Sequence, residues 1–310
     1  MKDICVWGGA GFVGSVLVGK LLEKGYHVRV VDNLHKGGDS LLQYVNNKNF
    51  DFERADISQV EQVKKVHEND YDGVILLSGI VGLPACKKHP SLAKAVNEEG
   101  WANVAKNKGK AKLVAASTGS VYGIVRDEIC TEITKTNPQS LYGISKLNGE
   151  KMVLNEPNTA VLRFATCVGV SPNMRLDLLP NYMCYEAVIN RFLSVFEPDN
   201  MRTFIDIRDF ANSLIFILEN FDKLKHRIYN VGTEKNNWTK RQLAEYVREK
   251  TGCFVTYAET HKDEDARDYA CDYSRIREAG FSVEYLMEDI LDDLIKSIHL
   301  LDTQNRYKKW

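Results

Sequence analysis

The chain has 310 residues, 44% of them hydrophobic, and 41 Lys plus Arg against 42 Asp plus Glu give a formal net charge of -1. That length buries a sizeable core and the composition excludes wholesale disorder, while the balanced charge offers no overall field to nucleic acid or to an acidic membrane. Seven cysteines, odd in number, scattered and never spaced C-x-x-C, point to free thiols in a reducing cytoplasm rather than a disulfide frame or a metal site.

Ile4-Cys5-Val6-Trp7 reads as a short buried strand that breaks into Gly8, Gly9, Gly11 and Gly14, then opens an amphipathic helix through Leu17, Leu21 and Leu22. Gly9, Gly11 and Gly14 satisfy G-x-G-x-x-G, and Gly8, Gly11 and Gly14 satisfy G-x-x-G-x-x-G. Glycine permits the tight turn, lets backbone amides close on a pyrophosphate, and lets the helix pack near the strand. The helix N-terminus then faces the phosphates with its partial positive charge. Gly8, Gly11, Phe12 and Val13 are therefore candidate cofactor contacts. The same glycines, with Asp3, interrupt the apolar run after Lys2, so it does not read as a secretory signal. Nor does any later run reach the roughly 18 apolar residues of a membrane span. Asp32 ends the next apolar run, 18 residues beyond Gly14. An acid there pairs with an adenosine ribose hydroxyl and repels a 2′-phosphate, so NAD is expected, with Asn33 beside the same ribose.

Phe50–Ile57 looks like a third strand carrying Asp56, and Ser58 is placed to cap a helix through Val60, Val63 and Val66, with Glu61 completing a capping box. Gly73–Leu77 is the continuous apolar run of a strand buried on both faces. It ends in Ser78 and Gly79, small residues where the backbone can lie close to a ligand. A helix from Pro90 to about Lys106, a strand over Ala111–Ala116, a helix from Ser140 to about Leu154 and a strand over Thr159–Phe164 follow. Such alternation implies right-handed βαβ crossovers and an α/β fold, a Rossmann-type doubly wound parallel sheet. It weakens after about residue 170, where Pro172, Pro180 and Pro198 punctuate mixed segments. Residues 1–170 are thus expected to form the NAD-binding domain, with some later segments returning to it. Residues 171–310 are expected to form mainly a smaller mixed α/β cap over the substrate.

Tyr142 and Lys146 stand at i and i+4 on one helix face. A nearby ammonium favours phenolate and makes the tyrosine a usable base near neutral pH. Tyr44…Lys48 and Tyr246…Lys250 share the spacing and read as surface pairs. Context separates the first pair, which follows by 24 residues the hydroxyl of Thr118 at a buried strand's end, the ligand side of an open α/β sheet.

With these residues in order, the chain resembles the extended short-chain dehydrogenase/reductase family, in particular its nucleotide-sugar epimerase and dehydrogenase branch. The likeness spans most of the chain and rests on Gly8–Gly14, Val31–Leu34, Asp56-Ile57, Asn97, Ser117–Gly123, Tyr142–Lys146, Met201–Asp209 and Tyr229–Gly232. It implies a cytoplasmic NAD-dependent oxidoreductase acting on a nucleotide-diphosphate sugar, most often as a homodimer paired through helices near 92–106 and 140–154. By the same resemblance Tyr142 is the base, Lys146 grips the nicotinamide ribose, Thr118 bonds the reacting oxygen and Asn97 supports the site. Asp56 and Ile57 flank the adenine, Tyr122 packs near the sugar, and Asn181, Arg202 and Arg267 meet the substrate diphosphate.

Departures from the relatives narrow the reaction. The 4,6-dehydratases of this family carry an acid pair where this chain has Gly119 and Ser120, and the fucose-synthase type has a cysteine at Ser120. Hydride transfer at one sugar carbon, usually C4, is what the remaining residues support, as a 4-epimerase or a 4-dehydrogenase. A 4-ketoreductase, or a non-catalytic NAD(P) sensor, is the alternative. Ile80–Cys86 with Thr166–Arg175 resembles a subgroup of bacterial surface-polysaccharide enzymes, whose nearest reading is a GDP-heptose 4-dehydrogenase of capsule synthesis, with Arg175 near the substrate.

Overall fold

The computed structural model describes residues 2–258 and 268–301. β1 (Asp3–Trp7), α1 (Phe12–Glu23), β2 (His27–Asp32), β3 (Phe50–Arg54), α2 (Val60–Val66) and β4 (Gly73–Leu76) open the chain. There follow α3 (Leu83–Lys88), α4 (Pro90–Lys94), α5 (Trp101–Asn107), β5 (Lys112–Thr118), β6 (Ile124–Cys130), α6 (Leu141–Leu154), β7 (Thr159–Phe164) and β8 (Thr166–Val168). The remainder is α7 (Leu179–Ile189), β9 (Phe192–Phe196), β10 (Met201–Asp206), α8 (Ile207–Glu219), β11 (Ile228–Val231), β12 (Asn237–Thr239), α9 (Lys240–Thr251), β13 (Phe254–Ala258), β14 (Asp268–Cys271), α10 (Ser274–Glu278) and α11 (Met287–Ile298).

Seven strands form one parallel sheet in the order β11-β7-β5-β4-β1-β2-β3. β4 and β7 are buried along their whole length and β5 from Leu113 onward, which is why their sequences are continuous rather than alternating apolar runs. The strand order reverses between β1 and β4, and the crevice beyond their carboxyl ends is where open α/β sheets take ligands.

Two smaller sheets, β12-β10-β8 and β13-β9, flank a second apolar cluster that includes Met174, Met183, Phe204, Leu243 and Met287, while β14-β6 packs through Cys130, Tyr269 and Cys271 on the core of the main sheet. Phe12, at the start of α1, packs into that cluster. Among the described residues no helix is long and apolar enough to cross a membrane.

Local chemistry sets the ends of the elements that matter. Ser140 caps α6, its Oγ accepting from the Gly143 amide at 3.1 Å, so the helix starts one residue before Tyr142. The expected cap of α2 is not made. Gln59 occupies that position with no side-chain bond to the helix amides, and the Ser58 hydroxyl donates to Asp56 Oδ1 at 2.7 Å. The helix expected from Pro90 is interrupted by a π turn over Ala95–Gly100 between α4 and α5. Tyr44 is no surface partner of Lys48, for its hydroxyl donates to the Ser15 carbonyl at 2.9 Å. Tyr246 and Lys250 do share a surface carboxylate, Asp292, at 3.1 and 3.0 Å.

Candidate active site

At the switch point Gly8 turns the chain with φ +86°, and its amide donates to the Val31 carbonyl at 2.8 Å. A Cβ on Gly8 would stand 2.7 Å from the Ser78 amide nitrogen, and one on Gly14 would stand 2.3 Å from the Gly8 carbonyl. Both glycines therefore hold β1, β4 and α1 closer than any side chain allows. Asp32 braces the turn, accepting from the Ala10 amide at 3.2 Å and the Leu34 amide at 2.8 Å. Burial raises the Asp32 pKa, and these amides work against the rise. Asn33 donates to Asp56 at 3.2 Å, joining two candidates for the adenosine end. Although burial works the other way, the Ser58 and Asn33 bonds hold the Asp56 carboxyl below its usual range. Ile57 has its side chain in the core instead of the crevice.

The segment after β8 reaches this turn directly. Asn173 donates to the Ala10 carbonyl at 2.7 Å and Ser171 Oγ to the Phe12 carbonyl at 2.7 Å. With the Phe12 ring in the second apolar cluster and Val13 packed against both clusters, these residues face the crevice by backbone more than by side chain. Narrow glycine turn, helix N-terminus and the carboxylate closing β2 fit a dinucleotide.

Beside it, α6 lies against the turn after β5 because Gly143 has no side chain, a Cβ there falling 2.8 Å from the Ser120 carbonyl. Tyr142 is half-buried on this helix, and Thr118 Oγ1 donates to Ser120 Oγ at 3.1 Å. Lys146 is 3% exposed, donates to the Ala116 carbonyl at 2.6 Å and sits 3.7 Å from the centroid of the Trp101 ring. Burial pulls its ammonium down to about 7, against the charge of Glu150 and the Cys86 thiol. Ser145 links helix to loop: it accepts from Asn97 Nδ2 at 3.0 Å and donates to the Tyr142 carbonyl at 3.0 Å. Asn97 also closes on Ile80, accepting from its amide at 2.8 Å and donating to its carbonyl at 2.9 Å. Its amide group is thus spent bracing the stretch after Ser78 and Gly79, from within the π turn.

Two expected substrate contacts lie elsewhere. Tyr122 is wholly buried, donating to Asn230 at 2.7 Å and accepting from Arg163 at 3.2 Å, so it belongs to the core and not to a sugar site. Asn181 is equally buried, its amide bonded to the Gly169 carbonyl at 3.1 Å and the Arg175 carbonyl at 2.9 Å, where it shapes the cap loop and leaves no free group for a phosphate. Arg202 is on β10 and lines a shallow pocket with Thr166, Met201, Thr203 and Tyr269. Arg267 lies outside the described residues. Arg175 pairs with Asp177, and burial of its guanidinium is outweighed by that carboxylate and by Tyr142 nearby, so its pKa is raised.

Sequence reasoning missed Glu150 and Arg163, a buried pair at 2.8 Å beneath the site. Glu150 also accepts from Ser117, next to Thr118. Its place one turn beyond Lys146 was a usable signal; the partner on β7 was not.

A dinucleotide crevice with a Tyr–Lys helix and a strand-end hydroxyl defines an NAD-dependent α/β enzyme. The chain belongs to the NAD dependent epimerase/dehydratase family, whose model matches residues 4–232. UDP-glucose 4-epimerase 2 of Arabidopsis thaliana is 30% identical over 85% of this chain and 89% of its own length. The UDP-glucose 4-epimerase of Bos taurus is 27% identical over 94% of this chain and 95% of its own. Two solved structures share the fold. UDP-glucose 4-epimerase from Thermotoga maritima with UDP-glucose has a TM-score of 0.84 at 24% identity, covering 96% of this chain and 99% of that one. The dTDP-glucose 4,6-dehydratase of Bacillus anthracis in complex with NAD has a TM-score of 0.83 at 22% identity, covering 97% of each chain.

Proposed function

We propose that this enzyme transfers hydride at C4 of a nucleotide-diphosphate sugar through a 4-keto sugar. The observation that carries this reading is the seating of the Tyr142–Lys146 face of α6 on the turn after Thr118, with Gly119 and Ser120 where a dehydratase needs acids. Bound NAD supplies reversible acceptance of a hydride. Tyr142 takes the proton of the sugar hydroxyl at its phenol oxygen, Lys146 keeps a positive charge beside that oxygen, and the Thr118 hydroxyl, turned from Ser120, donates a hydrogen bond to the reacting oxygen. Gly8, Gly11 and the start of α1 hold the pyrophosphate, Asp32 and Asn33 the adenosine ribose, and Asp56 the adenine edge. Arg202 and Arg267 hold the sugar's diphosphate, as planar guanidinium groups suit.

Return of hydride after the ketone rotates makes a 4-epimerase, the activity named for the Arabidopsis and Bos relatives. Release of the ketone makes a 4-dehydrogenase. The Ile80–Cys86 and Thr166–Arg175 segments favour this second outcome on a GDP-heptose of capsule synthesis in the cytoplasm. We further propose a homodimer through the helices near 92–106 and 140–154. The deciding experiment incubates the holoenzyme with UDP-, GDP- and dTDP-sugars, following NADH absorbance and product configuration. Epimer with no net absorbance supports the first outcome, stoichiometric NADH with ketosugar the second. Reduction of a supplied 4-keto sugar without the forward reaction would make it a ketoreductase, and silence with every sugar while NAD still binds would leave a sensor.

A further inference from the structure

Trp101 opens α5 directly after the π turn and is wholly buried. Three contacts fix its ring. The indole N–H donates to the Ser78 carbonyl at 2.9 Å, tying the ring plane to the end of β4. Gly149 lets α6 settle on the indole, since a Cβ there would stand 3.0 Å from Trp101 Cε3 and 2.2 Å from the Asn97 carbonyl. The Lys146 ammonium then lies 3.7 Å from the ring centroid. Where a surface lysine would have water, this one has the Ala116 carbonyl at 2.6 Å and an aromatic face.

We propose that Trp101 is a positioning residue for the reaction, holding the Lys146 side chain in its charged form and aiming it past the end of β5. The proposal rests on the reading of Lys146 given above. A buried ammonium is costly unless its charge is answered, and an indole face within about 6 Å answers it through the ring quadrupole. Other groups facing Lys146 are Glu150 on its own helix, the Cys86 thiol of α3 and the Ala116 carbonyl of β5. Glu150 is already bonded to Arg163 and Ser117, so the Ala116 carbonyl and the Trp101 ring are the close partners of the ammonium. Burial has drawn Lys146 to about 7, so modest loss of support tips it to the neutral amine at working pH.

The test compares pH profiles of kcat for the holoenzyme and for Trp101→Phe and Trp101→Leu. Removal of the ring lowers the pH at which the ammonium loses its proton, so in Trp101→Leu the alkaline limb should move down by about one pH unit. Trp101→Phe keeps an aromatic face without the N–H donor and should move less, with KM for the sugar nearly unchanged in both. Equal shifts in the two variants, or an unmoved limb in Trp101→Leu with NAD still bound, would overturn the role of Trp101. The unaltered protein offers a measurement free of folding risk, because indole emission should titrate with Lys146. That step should vanish in Lys146→Met, and its persistence there would overturn the contact. Turnover surviving Lys146→Met would sink instead the catalytic reading on which this one rests.

Discussion

Tyr142 stands half-buried on α6, and its hydroxyl can be removed at little steric cost. Tyr142→Phe should cut turnover by about 10²- to 10⁴-fold, the usual worth of a positioned base, while NAD affinity measured by fluorescence titration holds within about twofold. Unchanged turnover would remove the phenol from the chemistry. Gly119 makes a different demand. A Cβ there would lie 2.6 Å from the Tyr269 hydroxyl, so the absence of an acid at this position is also a packing requirement. Gly119→Ala should destabilise by about 1–3 kcal/mol, the cost of overpacking. In a double-mutant cycle with Tyr269→Phe the combined loss in Tm should be smaller than the sum, since the two atoms collide. Additive losses would mean that the clash is relieved elsewhere. At this scale the sequence was a good guide wherever the partner is near in the chain. Gly8, Gly14, Asp32 and the Tyr142–Lys146 pair are short-range patterns with short-range causes. Tyr122 and Asn181 mislead for the opposite reason. Tyr122 is satisfied by Asn230, 108 positions away, and Asn181 by a loop whose path only the folded chain reveals.

The elements were legible where periodicity decides them. The strand over Thr159–Phe164 and the helix after Ser140 follow from apolar runs and a capping serine. The π turn over Ala95–Gly100 was not, because it arises from Asn97 reaching Ile80 and Ser145 on other elements. α8 carries a buried tension that sequence also hides. Asp209 on its first turn accepts from the amides of Glu284 and Tyr285 at 3.1 and 3.0 Å, yet its other oxygen, Oδ1, is buried without a partner. Burial raises this carboxyl to about 6 despite those two amides. The folded state therefore prefers the protonated acid, and stability from this group is present below its ordinary range and lost as pH rises through about 6. Asp209→Asn keeps an acceptor for both amides and removes the charge. Its urea midpoint should lose less than the parent protein's as pH rises from about 4 to 7, and parallel curves would contradict this.

Across the whole molecule, α4 and α6 leave large apolar side chains exposed. Leu92 is 39% exposed, Leu141 45% and Ile144 41%, all on the helices proposed to pair. Sedimentation at micromolar concentration should give a dimer, and Ile144→Glu, which sets charge against charge across a two-fold contact, should give monomers. A monomeric parent protein would refute the pairing. The architecture itself was readable, since alternating strands and helices allow few topologies. How the later segments divide between sheet and cap was less so, because β11 and β14 are short and their partners, β7 and β6, come much earlier in the chain.

Asn173 and Ser171 fasten the cap to the carbonyls of Ala10 and Phe12, the residues that shape the dinucleotide turn. Residues 171–173 cannot part from the turn without breaking both bonds. A dinucleotide seated in that turn would rest on a backbone that these two bonds hold in place.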